Sequence, residues 1–285
     1  MGENAGACMR QELIDPGNLD DAPCRYGASR MFFRGPGRAL DRPYIVFIGG
    51  TETYGKYIET PFPMLVEAAL HRPCVNLGCV NGGIDAFIYD PVIMDLCQAA
   101  ELTIVQIMGA NHLSNRLYTV HPRRNDRFLR PMPMLQALYS EVDFTEFAFT
   151  RHLLGALHAI SPVRFEIIAQ TLREAWVNKM QRMLTRIGRQ SLLLWFSADP
   201  LSDADWSARP NHLQTDPLFI TAAMIDRLHP LVRSLVVVTP SPAALAQASA
   251  GMRVPPSQQG VAAGMLGVRC HEEAAAALIR NLQDL

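Results

Sequence analysis

The sequence carries no surplus of either charge. A formal net charge of −1 over 285 residues leaves no overall field to steer the chain toward nucleic acid or an acidic membrane. Any preference for anions has to come from local clusters. There is no run of about 18 apolar residues to span a bilayer, and residues 1–10 lack the apolar stretch of a signal peptide. The expectation is a cytoplasmic protein without membrane contact. None of the six cysteines (Cys8, Cys24, Cys74, Cys79, Cys97, Cys270) forms a C-x-x-C pair. Their scatter is poor zinc spacing and no disulfide framework, which points to reduced thiols and no metal site. Neither G-x-x-x-x-G-K-[ST] nor G-x-G-x-x-G occurs, so nothing specific calls for a nucleotide, and no cofactor is expected. Internal repeats are missing, and compositional bias is confined to an Ala-rich stretch at 242–250.

What is present reads as a globular protein. Hydrophobic residues make up 49% and charged residues 19%, ordinary values for a chain long enough to bury a full core and poor ones for long disorder. Residues 1–43 are rich in Gly, Pro, Asp and Arg and read as an irregular arm, followed by one domain over 44–285. The arm holds Arg25, Arg30, Arg34, Arg38 and Arg42 among Tyr26, Phe32 and Phe33; it can fold over a sheet edge, cross to another subunit or bring arginines to a site.

From residue 44 apolar runs alternate with helical patterns. The runs are 44–48, 74–77, 102–108, 191–196 and 235–238. They do not alternate in polarity, as befits parallel strands covered on both faces, and the helices between them mark βαβ units. The helices expected are 63–70, 91–100, two long ones in the middle, and 272–282. Asp143 with Glu146 reads as a capping box ahead of Phe147, Leu153, Leu154, Leu157 and Ile160. Ser161-Pro162 reads as N-cap and first residue of the next helix, with the stripe Ile168, Leu172, Ala175, Trp176, Met180, Met183 and Ile187. That Met-rich stripe suits a core or a subunit interface, which leaves a homo-oligomer open. The fold expected is α/β: a flavodoxin-like, doubly wound parallel sheet of about five strands in three α/β/α layers, with a helical insertion after strand three. In such sheets ligands bind beyond the carboxyl ends of the strands.

Three loops stand at those ends: Gly49-Gly50-Thr51-Glu52-Thr53-Tyr54-Gly55, Asn76-Leu77-Gly78-Cys79-Val80-Asn81-Gly82-Gly83, and Gly109-Ala110-Asn111-His112. Each sets glycines and small polar residues directly after an apolar run, where tight turns and freed N–H groups can hold an oxyanion. In this order they resemble the blocks of the SGNH (GDSL-like) hydrolases over residues 44–111. That family opens on Gly-Asp-Ser-x-Thr-x-Gly, and its third block is Gly-x-Asn. The resemblance implies Thr51 as nucleophile and Gly78 N–H and the Asn111 amide as oxyanion donors, with Gly82 and Gly83 as less direct alternatives to Gly78. Gly50, Glu52 and Asn81 would line the ligand. Three departures stand out: threonine replaces the serine, Gly50 replaces the aspartate, and no Asp-x-x-His stands just before the terminal helix. His271 and His121 are the two candidates for the base. The stretches 23–27, 49–55 and 121–128 also resemble an uncharacterised bacterial protein family, which implies no activity.

The segment 111–130 adds Arg116, Arg123, Arg124, Arg127 and Arg130 with His112 and His121. Arginine forks bind carboxylate, sulfate or phosphate, and they also pair with acids such as Asp126, Glu141, Asp143 and Glu146. Thin aromatic interleaving speaks against nucleic acid. Two functions follow. One is an atypical SGNH-like hydrolase or acyl-modifying enzyme acting on a small ester or glycan-linked substrate. The other is a non-catalytic protein that holds an anionic or glycan ligand through His121, Arg123, Arg124 and the glycine loops.

Overall fold

The structure is a computed structural model that describes residues 23–204 and 212–283. The first 22 residues of the expected arm, with Cys8, lie outside the described residues.

Five short apolar strands build one parallel sheet: β1 (Ile45–Ile48), β2 (Cys74–Asn76), β3 (Leu102–Gln106), β6 (Ser191–Phe196) and β7 (Ser234–Val238), in the order β2-β1-β3-β6-β7. β1, β2, β3 and β6 are buried along their whole length, because helices cover both faces; this is why they read as mainly apolar runs without alternation. The helices are α1 (Thr51–Tyr54), α2 (Phe62–Leu70), α3 (Ile84–Ile88), α4 (Pro91–Ala99), α5 (Pro133–Leu138), α6 (Thr150–Ile160), α7 (Pro162–Ile187), α8 (Ala222–Asp226), α9 (Pro242–Leu245), α10 (Gln259–Ala262) and α11 (Val268–Gln283). One apolar cluster joins one face of the sheet to α3, α4, α6 and α7; the other joins the opposite face to α2 and α11. The α/β/α layering is the one expected, and the order reverses between β1 and β3, where a crevice opens at the carboxyl ends.

The insertion after β3 is only partly helical. It begins with an antiparallel hairpin, β4 (Tyr118–Val120) and β5 (Phe128–Pro131), where the arginine-bearing segment 111–130 lies. The three-residue β4 is too short to show a period. α7 follows expectation closely: Ser161 caps it by accepting from Arg164 N–H, and the stripe from Ile168 to Ile187 is buried core, with Ala175 packed at its edge. The capping box does not start α6. Asp143 instead caps a 3-10 turn, Phe144–Glu146, and α6 begins at Thr150 without a side-chain cap.

The arm from residue 23 packs on the domain. Tyr26, Met31 and Phe33 join the larger cluster, and buried Arg34 donates to the carbonyls of Gly55, Ile58 and Glu59. These carbonyls follow α1, so the arm braces the C-terminal side of the turn that leaves β1. Among the described residues, no helix is long and apolar enough to cross a membrane.

Candidate functional site

At the carboxyl ends of β1, β3 and β6 the loops enclose a cavity of about 320 Å³. Gly50, Thr51 and Glu52 reach it from the turn after β1, Asn81 and Gly82 from the loop after β2, Gln106 and His112 from β3 and its loop, and Asp199 and Asp216 from the far side.

The turn after β1 is tightly specified. A Cβ on Gly49 would lie 2.0 Å from Thr53 Oγ1 and 2.5 Å from Gln106 Oε1, so glycine is required there for space. Gly50, at the start of α1, provides no side-chain cap. Gln106, 5% exposed at the end of β3, supplies one from outside: its Oε1 accepts from Gly50 N–H (3.1 Å), Thr53 N–H (3.2 Å) and Thr53 Oγ1 (2.5 Å). Its Nε2 donates to Glu52 Oε2 at 3.4 Å. Thr51 Oγ1 donates to Asn81 Oδ1 (3.4 Å) and accepts Asn81 N–H (3.0 Å). Asn81 Nδ2 in turn donates to Asp126 Oδ2 at 3.2 Å.

The electrostatics of the cavity are acidic. Burial, and then the charge of Asp216, lift the Glu52 carboxyl from 4.5 to about 6; hydrogen bonds from its own N–H and from Gln106 act in the opposite direction. Arg151 of α6 holds Asp216 through one guanidinium nitrogen, Nη2, which donates to both carboxylate oxygens at 2.9 Å. Burial, and then Arg151, push the His112 imidazole down to about 3, so it is neutral at physiological pH. The Glu52 shift has a stability consequence. Its folded value lies above the unfolded one, so its contribution is complete below pH 4.5 and is lost as pH rises through about 6. Glu52→Gln should therefore stabilise the fold by about 1–2 kcal/mol at pH 8 and by little at pH 4. Urea denaturation at the two pH values measures this, and equal gains at both would contradict it.

The residues expected from the sequence fall into two groups. Thr51, Gly50, Glu52 and Asn81 meet at the cavity. Gly78 does not serve as a donor: its N–H is committed to Asn76 Oδ1 at 2.8 Å, and a Cβ on it would lie 2.1 Å from Tyr54 N. It is a packing glycine that lets β2's loop lie against α1. Asn111 is fully buried with both amide atoms unpartnered. It sits behind Gly109, whose ideal Cβ would fall 2.6 Å from Asn111 Oδ1. His271 is not at the site. It is 2% exposed, accepts Phe62 N–H on Nδ1 (3.3 Å), and packs against Phe62 and Phe196, one side chain behind the cavity wall.

The arginine loop is likewise outside. His121 Nδ1 accepts the N–H groups of Arg123 and Arg124, and Arg123 reaches back to Arg30 O. Both arginines are exposed, and neither they nor His121 line the cavity. The loop is organised around buried Asn125, whose Oδ1 caps α3 through Gly83 and Ala86 N–H. Gln106 and Asp216 lie outside the three loops that the sequence marks, and His112 enters there only as the last residue of the third loop. Gln106 carried a usable signal, being a polar residue near the end of an apolar strand.

Residues 9–285 match the family model described as Domain of unknown function (DUF6473). The chain belongs to that family. No curated protein matches it by sequence. Among solved structures it is similar to a carbohydrate esterase family 2 enzyme with a carbohydrate-binding domain from Corynascus thermopiles (Myceliophthora fergusii), at 11% identity and a TM-score of 0.42, over 88% of this chain and 68% of that one. It is also similar to the lipase Lip_vut3 from a goat rumen metagenome, at 12% identity and 0.41, over 83% and 96%. A lipase/acylhydrolase from Enterococcus faecalis stands at 11% identity and 0.42, over 85% and 96%.

Proposed function

We propose that this chain is an atypical SGNH-like hydrolase or acyl-modifying enzyme for a small, uncharged, oxygen-rich ester or glycan-linked substrate. Thr51 is the nucleophile and Glu52, rather than His271 or His121, is the general base. One observation carries the reading: the Thr51 residue with its hydroxyl and the Glu52 residue with a carboxyl lifted to about 6 line one cavity at the carboxyl ends of parallel strands. A base titrating near working pH is well matched to proton transfer.

In the reaction, Thr51 Oγ1 attacks the acyl carbon while Glu52 takes its proton. The leaving alcohol receives that proton as the C–O bond breaks. Glu52 then takes a proton from water, the hydroxide so formed attacks the acyl carbon, and Thr51 Oγ1 leaves with the proton that Glu52 gives back. Asn111, the oxyanion donor that the resemblance implies, is fully buried behind Gly109 and does not line the cavity, so the scheme assigns it no step. With the Thr51 proton resting on Asn81, substrate entry has to turn it toward Glu52.

The anion-binding alternative through Arg123 and Arg124 is the weaker one: the cavity is lined by three carboxylates, and both arginines lie outside it. The test is hydrolysis of p-nitrophenyl acetate and of O-acetylated sugars. Thr51→Ala and Glu52→Gln should each lower kcat/KM by about 10²-fold or more. Turnover that survives both substitutions refutes the assignment. A rise in Tm with sulfate or phosphate but not with acetylated sugars would restore the anion reading.

A further inference from the structure

We infer that Gln106 is the positioning residue of this site: its oxygen holds the 50–53 turn and its amide is aimed at the Glu52 carboxylate. The inference goes beyond the reaction above and rests on Glu52 as its acid–base group. Three donors converge on Oε1, from Gly50 N–H, Thr53 N–H and the Thr53 hydroxyl. An amide nitrogen cannot accept any of them, so the side chain has one allowed orientation. That orientation leaves Nε2 facing Glu52. The same residue therefore sets the backbone that presents Thr51 and chooses which form of Glu52 is held in the cavity. A donor aimed at a carboxyl favours its ionised form.

The other charged and titratable groups near Glu52 oppose or modulate this. Asp199, Asp216 and His112 share the cavity, and Arg151 acts through its clamp on Asp216. Burial and the charge of Asp216 raise the Glu52 carboxyl, and the Gln106 amide pulls it back toward the ionised form that a base requires.

Gln106→Glu tests this, because it keeps an acceptor for Gly50 and Thr53 but turns a second carboxyl on Glu52. In a ¹³C-carboxyl NMR titration the Glu52 midpoint should rise by about one pH unit or more, and the acid limb of kcat/KM should move with it. The unaltered protein supplies a second readout that does not depend on the variant folding. The Gln106 side-chain amide resonance should titrate with the Glu52 midpoint, and that titration should vanish in Glu52→Gln. A Glu52 midpoint unchanged in folded Gln106→Glu, or a Gln106 amide flat from pH 4 to 8, overturns the inference. Both readouts are independent of turnover. Coupled titration in a protein that hydrolyses nothing would sustain the role of Gln106 and remove the hydrolase reading; hydrolysis with a flat amide would do the reverse.

Discussion

Lys179→Met should destabilise the protein by about 3–5 kcal/mol at neutral pH. Lys179 lies on α7 with its side chain 13% exposed, and its ammonium pairs with Asp85 of α3, whose side chain is 5% exposed. The Asp85 carboxylate also accepts Ser114 N–H at 2.8 Å, which ties the start of the insertion to the same point. Removing the ammonium leaves a buried carboxylate with that single N–H, and methionine fills the aliphatic path without replacing the charge. Restoring neutrality by a second change, Asp85→Leu, should recover much of the loss, because a buried pair replaced on both sides by apolar groups is often neutral in stability. Urea midpoints of the single and double variants measure this. A single-variant cost below about 1 kcal/mol would show the pair to be solvated and the argument wrong.

The second large effect is acid sensitivity from His271. Burial, then the charge of Arg34, pushes its imidazole down to about 3 from 6.5. The unfolded chain therefore binds a proton that the folded chain refuses between these values, and stability falls as pH drops from about 6.5 toward 3. By pH 4 the loss from this residue amounts to about 3 kcal/mol. His271→Leu gives up the bond from Phe62 N–H and is less stable at pH 7, yet its stability should decline more shallowly on acidification, by about one proton's worth of slope. His112 contributes a similar dependence of its own, so some slope remains. Stability curves of equal steepness between pH 4 and 6 would sink the assignment of a buried neutral imidazole.

Parallel strands that read as continuous apolar runs were legible because both faces are covered, and α7 because its 3.6-residue stripe is long and its cap is local. Elements without those signals escaped notice. The β4–β5 hairpin is too short to show a period, and α1 and α3 draw their caps from Gln106 and Asn125, residues distant in sequence. The same division holds at the site. Thr51, Glu52 and Asn81 could be located in advance, since glycines after buried strands mark where a doubly wound sheet opens. Which groups are free to act could not.

What the sequence by itself determined is therefore the layered α/β fold and the end of the sheet at which the cavity opens, because both follow from local periodicity and from where glycines interrupt it. Only the tertiary structure decided the chemistry available there. It committed the Gly78 N–H to Asn76, sealed His271 between Phe62 and Phe196, drew Arg123 and Arg124 out of the cavity, and set Gln106 against Glu52. The physical reason is that a donor's availability and a carboxyl's proton affinity depend on neighbours contributed by other strands, and no spacing along one chain segment records them.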